Sequence, residues 1–365
     1  MKESFSKLPM LDARRPALEK CVYCPKLCRA ACPVSNATPS ESLTPWGKMS
    51  TAFFLARGDI EMTESSASLA WACTGCLGCR ERCDHKNPVE ATLAEARAAT
   101  FDRGVAPAAA RAVVARAEAR AEETRRAVAT MRARPGKSGA RSKLLLGCGY
   151  ARKAPEEARQ AVAVTEALLG TDVDLVEACC GYPSRAAGDS AGFERAKREM
   201  ASEVAGAQRF VVLDAGCART LLVDYGDDSG IRTPELLIDI AVQSLDRFSV
   251  IEHGGTLRYH DPCQLGRGLG RYDAPRAILQ KLIGAPVAEF ERAREAADCS
   301  GGGGILPLTM PETSAGIGAQ RIEEHDRLGG GSVVTACAGS LRRFRKSGAD
   351  TIDLVSLMAR GLGLG

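Results

Sequence analysis

Eight of the chain's 15 cysteines fall between Cys21 and Cys83, in two groups of four. The first reads Cys21-x-x-Cys24-x-x-x-Cys28-x-x-x-Cys32-Pro33 and the second Cys73-x-x-Cys76-x-x-Cys79-x-x-x-Cys83. Such short spacings let one loop wrap three thiolates around a corner of a cubane. The fourth thiolate arrives from the start of a helix, and in two-cluster ferredoxins it serves the other cluster. On that logic Cys21, Cys24, Cys28 and Cys83 hold one [4Fe–4S] cluster, and Cys32, Cys73, Cys76 and Cys79 hold a second. Two departures stand out: three residues rather than two separate Cys24 from Cys28, and Cys83 is followed by Asp84, with a proline only at Pro88. Neither removes a ligand, although the first reshapes its loop. Paired Cys-x-x-Cys units also bind tetrahedral zinc, but two near-identical quartets, one ending in Cys-Pro, favour iron–sulfur chemistry.

The other seven cysteines form two sets: Cys148, the pair Cys179-Cys180 and Cys217, then Cys263, Cys299 and Cys337. Cys179 and Cys217 are 38 positions apart, and so are Cys299 and Cys337. An apolar run precedes each last cysteine, Val211-Val212-Leu213 and Val333-Val334, so one cysteine-bearing unit reads as duplicated in tandem.

The elements that position these residues differ between the halves. Between the two quartets, Thr44-Pro45 reads as an N-cap followed by proline at the first helical position. Trp46, Met49, Phe53, Phe54 and Leu55 give that helix an apolar face able to shield a cluster from water. Ala- and Arg-rich sequence from Pro107 to Arg134 predicts a helix ended by Pro135-Gly136, with a linker to Ser142. Its arginines are interrupted by Glu118, Glu122 and Glu123, which favours a solvated connecting helix over a nucleic-acid patch. Beyond it, strands are predicted at 143–147, 173–176, 210–213, 257–260 and 332–335. Helices, such as Glu156–Leu169, follow most of them, the pattern of α/β units.

Composition excludes several classes. The net charge is only +4, from 49 basic and 45 acidic residues, and aromatics make up 5%, which argues against a dedicated nucleic-acid or membrane-surface protein. No stretch approaches the roughly 18 apolar residues of a membrane span. The odd cysteine count and the charged N-terminus without an apolar signal core predict a cytoplasmic protein with reduced thiols.

Cys179-Cys180-Gly181-Tyr182-Pro183, Tyr259-His260-Asp261-Pro262-Cys263 and Cys299-Ser300-Gly301-Gly302-Gly303-Gly304 resemble the tandem Cys-Cys-Gly domains of one redox family. It includes the iron–sulfur subunits of glycolate oxidase and of anaerobic glycerol-3-phosphate dehydrogenase, lactate-utilisation proteins and heterodisulfide reductase components. The resemblance runs from about Cys21 to about Arg345. It implies a multidomain architecture: a mainly helical two-cluster ferredoxin-type domain (1–103), a helix and linker (104–142), then two tandem α/β cysteine-rich domains (143–255 and 256–365). It implies an iron–sulfur electron-transfer subunit of an oxidoreductase, relaying electrons between a flavin-dependent dehydrogenase partner and a quinone or disulfide acceptor. Any membrane association would come through a partner. In heterodisulfide reductases each complete unit holds a non-cubane cluster through five cysteines and performs disulfide chemistry. The alternative is therefore a heterodisulfide or thiol reductase whose active site is Cys148, Cys179, Cys180 and Cys217.

The sequence departs from the five-cysteine pattern. Thr220 stands where a fifth cysteine could follow Cys217, and Ser300 and Ser340 stand in two cysteine positions of the second unit. Serine oxygen is a poor replacement for thiolate at iron. The first unit can still offer four ligands to a third cluster; the second, with Cys263, Cys299 and Cys337, offers three, or its cysteines are buried structural thiols. Gly301 to Gly304 allows close backbone approach to a cluster or partner, and no Lys-Ser or Lys-Thr follows to make it a phosphate loop. His260 and Asp261 flank Cys263 as a candidate proton relay, against a structural role for a histidine at a strand end.

Overall fold

The sequence changes from helical patterning to alternating strands and helices near residue 141. The computed structural model, which describes residues 4–26, 28–131, 141–226 and 230–364, follows that change. One unit comprises Met1–Ala117, Pro183–Phe193 and Asp298–Arg321; the other comprises Glu118–Tyr182, Glu194–Ala297 and Ile322–Gly365.

The first unit is helical. Thr44 caps the helix Pro45–Arg57 by accepting a hydrogen bond from the Gly47 amide at 3.0 Å, and Gly58, at φ 87°, ends it in the left-handed region. Met49, Ala52, Phe53, Leu55 and Ala56 of this helix are buried with Leu11 and Leu18 from the N-terminal helices and Trp71 and Leu93 from later ones. A bulky residue cannot replace Gly47, because a Cβ there would lie 2.2 Å from the Glu41 carbonyl. The helix Val89–Asp102 completes the core.

The predicted connecting helix is two helices, Ala108–Ala115 and Ala117–Ala129, separated where Arg116 leaves helical geometry at ψ 11°. Glu122 pairs with Arg125 and Arg126 along its exposed face, the i,i+3 and i,i+4 spacing that supports a solvated helix. Its expected end at Pro135-Gly136 lies outside the described residues.

The second unit contains two parallel four-stranded sheets. The first consists of β1 (Ser142–Leu145), β2 (Asp174–Leu175), β3 (Arg209–Val212) and β4 (Glu235–Leu236) in the order β2-β1-β3-β4. The second consists of β5 (Leu257–Tyr259), β6 (Ala288–Glu289), β7 (Ser332–Thr335) and β8 (Thr351–Asp353) in the order β6-β5-β7-β8. The two orders are the same pattern four strands apart, as duplication requires. Phe210, Val211 and Val212 are wholly buried, as are Val333 and Val334, the near-continuous apolar runs of strands covered on both faces. Five strands lie where the sequence places them, within one or two residues; β4, β6 and β8, of two or three residues each, were not expected.

Within this unit the two sheets are tied together. The helix Pro155–Leu169 packs on Leu354–Gly361, where Ser356 donates to Gln160 at 2.6 Å. The buried Tyr150 hydroxyl donates to Asp353 at 2.7 Å.

Candidate metal centres

In the first unit the two cysteine motifs interleave. One partly open space is walled by Cys32, Cys73, Cys76 and Cys79 together with Lys48, Leu77, Glu90 and Leu93. A second is walled by Cys21, Cys24, Cys28 and Cys83 together with Lys26, Trp46, His85 and Asn87, and Cys79 also reaches its edge. Each space therefore takes three cysteines from one motif and the last cysteine of the other. Among the described residues no three Cys, His, Asp or Glu side chains close on a point as they would around a single ion; the thiols instead ring a volume. The donor set, soft sulfur around apolar walls, fits an iron–sulfur cluster.

The loops that carry these thiols are bent by unusual backbone. Lys26, in the longer Cys24–Cys28 stretch, has φ 71°, and Leu77, between Cys76 and Cys79, has φ 62°. Left-handed residues without glycine are uncommon and cluster where a site over-determines the backbone. Lys26 is further held by its ammonium over the Trp46 ring at 3.9 Å.

Polar partners reach the sulfurs. Asn87 Nδ2 donates to Cys21 Sγ at 3.0 Å and to the Ala17 carbonyl at 2.8 Å. Lys48 Nζ lies 3.4 Å from Cys32 Sγ, and the Gly75 amide donates to Cys73 Sγ at 3.4 Å. Arg97 fixes the backbone before the second motif through the Ala70 and Cys73 carbonyls. Burial pushes the Cys21 thiol up to about 12 against the Asn87 hydrogen bond, and burial with the neighbouring Cys24 pushes Cys28 up to about 11. Burial raises Cys73 as well, opposed by the charges of Lys48 and Arg97. Metal ligation needs the thiolates, so loading these sites releases protons. Lys48, Asn87 and Arg97 were missed in the sequence; the one available signal was a lysine inside the apolar run of the Pro45–Arg57 helix.

Two later segments belong to this unit. Gly188, at φ 93°, sits against the Arg97 carbonyl, where a Cβ would be 2.7 Å away, and Arg185 pairs with buried Glu90 at 2.7 Å. The glycine run lies on the second cysteine motif: a Cβ on Gly304 would be 2.0 Å from the Cys73 carbonyl, and one on Gly303 2.3 Å from the Thr74 carbonyl. Close approach is what the sequence expects of these glycines, and the surface approached is the backbone of a cysteine loop. Cys299, buried, accepts from the Gly301 amide at 3.3 Å in the same segment.

In the second unit the first set of cysteines converges. Cys148 follows β1, Cys179-Cys180 follows β2 and Cys217 follows β3, so all four hang from the carboxyl ends of adjacent parallel strands. β1, flanked by β2 and β3, is the switch point of this sheet, where α/β folds form their crevices. The four sulfurs are in hydrogen-bond contact in the order Cys148–Cys179–Cys180–Cys217. The Cys148–Cys179 bond and burial hold Cys148 well above the usual thiol range. Cys179 is lowered by its bond to Cys148, but the Cys180 contact and burial prevail and push it up to about 12. For Cys217 the Cys180 contact lowers and burial with Asp214 raises, again up to about 12. Gly147, at φ 88°, leaves room for this group, since a Cβ would stand 3.1 Å from Cys217 Sγ. Asp214, raised by burial, caps the next helix by accepting from the Cys217 amide at 3.0 Å and also takes the Ala338 amide.

The second set is arranged otherwise. Cys299 belongs to the first unit, Cys263 and Cys337 to the second. Cys337 follows β7, is pushed up to about 12 by burial and the charge of Asp214, and is opposed by the Ser340 amide and hydroxyl. The residues in expected cysteine positions are absorbed locally: Thr220 is buried with its hydroxyl on the Gly216 carbonyl at 2.8 Å. The Asp261 of the candidate relay accepts two 2.8 Å hydrogen bonds from Arg276, and His260 packs edge-on against Phe344 at 4.8 Å. Asp261 is thus held by an ion pair and His260 is packed among aromatics, which supports the structural reading of both.

Comparison with known families settles the class. Residues 17–87 match the 4Fe-4S dicluster domain, and residues 143–221 and 257–343 each match the cysteine-rich domain. The chain belongs to the cysteine-rich-domain iron–sulfur oxidoreductases. Among curated members of this kind, the D subunit of dihydromethanophenazine:CoB–CoM heterodisulfide reductase from Methanosarcina mazei is 28% identical over 207 residues, 52% of this chain and 50% of that one. The B subunit of the fumarate reductase (CoM/CoB) from Methanothermobacter marburgensis is 30% identical over 173 residues, 46% of this chain and 34% of that one. The chain thus matches about half the length of the first of these and a third of the second. Like other iron–sulfur oxidoreductases it is built for electron transfer, and among its described residues no helix is long and apolar enough to cross a membrane.

Proposed function

We propose that this iron–sulfur oxidoreductase is an electron-transfer subunit that relays electrons between a flavin-dependent dehydrogenase partner and a quinone or disulfide acceptor. Cys21, Cys24, Cys28 and Cys83 would hold one [4Fe–4S] cluster and Cys32, Cys73, Cys76 and Cys79 a second. The observation that carries this reading is the pair of thiol-walled spaces, each drawing its fourth cysteine from the other motif, which is the exchange that two-cluster ferredoxins make. The clusters supply the one-electron chemistry. The protein holds the thiols, excludes water with Trp46, Leu77, Val89 and Leu93, and directs N–H donors at the sulfurs.

The second reading is a disulfide reductase at Cys148, Cys179, Cys180 and Cys217, which would hold a third cluster. The sulfur-to-sulfur contact of all four at one sheet's switch point favours it, and the similarity to a heterodisulfide reductase component is consistent with it.

The test is iron and acid-labile sulfide per chain after anaerobic purification, with electron paramagnetic resonance of the reduced protein. About twelve irons support three clusters, and about eight support two cubanes with the converged cysteines purely structural. Zinc without iron overturns the proposal. For the second reading, Cys180→Ser should abolish disulfide turnover while the ferredoxin-type signals persist; retained turnover would sink it.

A further inference from the structure

The two thiol-walled spaces differ in what faces the sulfur. In the Cys32/Cys73/Cys76/Cys79 space, Lys48 is 2% exposed and its Nζ lies 3.4 Å from Cys32 Sγ. Arg97, also 2% exposed, adds a second buried positive charge at the Cys73 carbonyl. Glu90, the carboxylate among the described lining residues, is already engaged by Arg185 at 2.7 Å. Lysine is almost never fully buried without an anionic partner, and breaking such a pairing leaves a costly uncompensated charge. The anion within reach of Lys48 is the sulfur group itself.

In the Cys21/Cys24/Cys28/Cys83 space the corresponding donor is neutral: Asn87 Nδ2 at 3.0 Å from Cys21 Sγ. The cations lining that space are Lys26, which pairs with Glu41 at 3.6 Å, and Lys20, which is exposed. Water screens charges in such positions.

A fixed positive charge in a low-dielectric pocket stabilises the redox state that carries more negative charge. Reduction adds one electron to a cluster and breaks no bond. Net charge and hydrogen bonds to the sulfurs are among the factors that set its potential. Resting on the cluster reading above, we propose that Lys48 fixes the reduction potential of the Cys32/Cys73/Cys76/Cys79 centre above that of the Cys21/Cys24/Cys28/Cys83 centre. The first is then the place where an electron rests, and the second the place through which it passes. Lys48 is a positioning residue for charge and takes no part in bond chemistry.

The experiment is a redox titration of the anaerobically purified full chain, followed by electron paramagnetic resonance, with iron content measured on every sample. The two ferredoxin-type centres of the wild type should give one-electron components separated by at least a tenfold difference in oxidised-to-reduced ratio at any fixed potential, which is about 59 mV. Lys48→Met should lower the higher component by at least that amount and leave the other in place. Lys48→Arg, which keeps the charge, should restore it. Asn87→Leu should move the lower component instead. Coincident potentials in wild type overturn the proposal. So does a fully loaded Lys48→Met protein in which neither component moves, both move equally, or the one that moves is the one Asn87→Leu moves. If Lys48→Met loses about one cluster's iron, the wild-type separation and the Lys48→Arg titration decide in its place. A wild-type chain with no iron is a different result: it refutes the cluster reading and is seen before any titration begins.

Discussion

After β1, β2 and β3 the chain delivers Cys148, Cys179, Cys180 and Cys217 to one group of touching sulfurs. After β5 the equivalent turn carries His260, Asp261 and Cys263, and what gathers there is an ion-pair cluster: Arg276 bonds Asp261 at 2.8 Å and Glu289 at 2.6 Å. Strand order, parallel pairing and buried valines are the same in both sheets. Strand-end residues and strand-core residues are different positions, so one copy can exchange chemistry for rigidity without altering the fold.

The sharpest way to break that contrast is to remove a cysteine from each copy. On the reading in which the converged cysteines hold a third cluster, Cys217→Ala should take iron from about twelve to about eight per chain, and Cys263→Ala should leave it unchanged. Equal losses would mean that both copies hold metal. Next in size is Arg276→Met, which takes the guanidinium from the buried Asp261 carboxylate and leaves it only the Arg294 amide. It should cost about 3–5 kcal/mol in denaturant unfolding, and a cost below about 1 kcal/mol would show the pair to be solvent-screened. Asp353, where the two copies meet, comes third. Burial raises its carboxyl from 3.8 to about 7, against the Tyr150 hydrogen bond that lowers it. A raised acid favours the folded state while protonated, so this contribution is complete below pH 3.8 and is lost as pH rises through about 7. At about 1.4 kcal/mol per unit the loss is a few kcal/mol. Asp353→Asn, which keeps the cap on Val355, should flatten the fall in melting temperature between about pH 4 and 7. The smallest effect is Ser340→Ala, which removes a hydroxyl contact to Cys337 and should cost about 1 kcal/mol.

The cysteine spacings were legible because cluster chemistry dictates them locally, and the tandem duplication was legible because both copies keep the same 38-position cysteine spacing. Ser332–Thr335 was read to the residue from its valines. β4, β6 and β8 were not, since two or three residues carry no alternation to detect. Lys48 and Asn87 were missed for a different reason: a single polar residue announces a site only when its neighbours in space are known. The break at Arg116 lies in a run of strong helix formers, where propensity predicts continuity.

The ferredoxin-type unit, whose cysteine quartets all lie before residue 84, is completed by Pro183–Phe193 and Asp298–Arg321. Glycines 188, 303 and 304 leave no room for a side chain where these segments seat. Timing follows from this. At about 5–20 residues per second of synthesis, the roughly 200 residues from 117 to 321 take about 10–40 s to appear. For that interval the backbone of the second cysteine loop lacks the glycine segment that later seats against it.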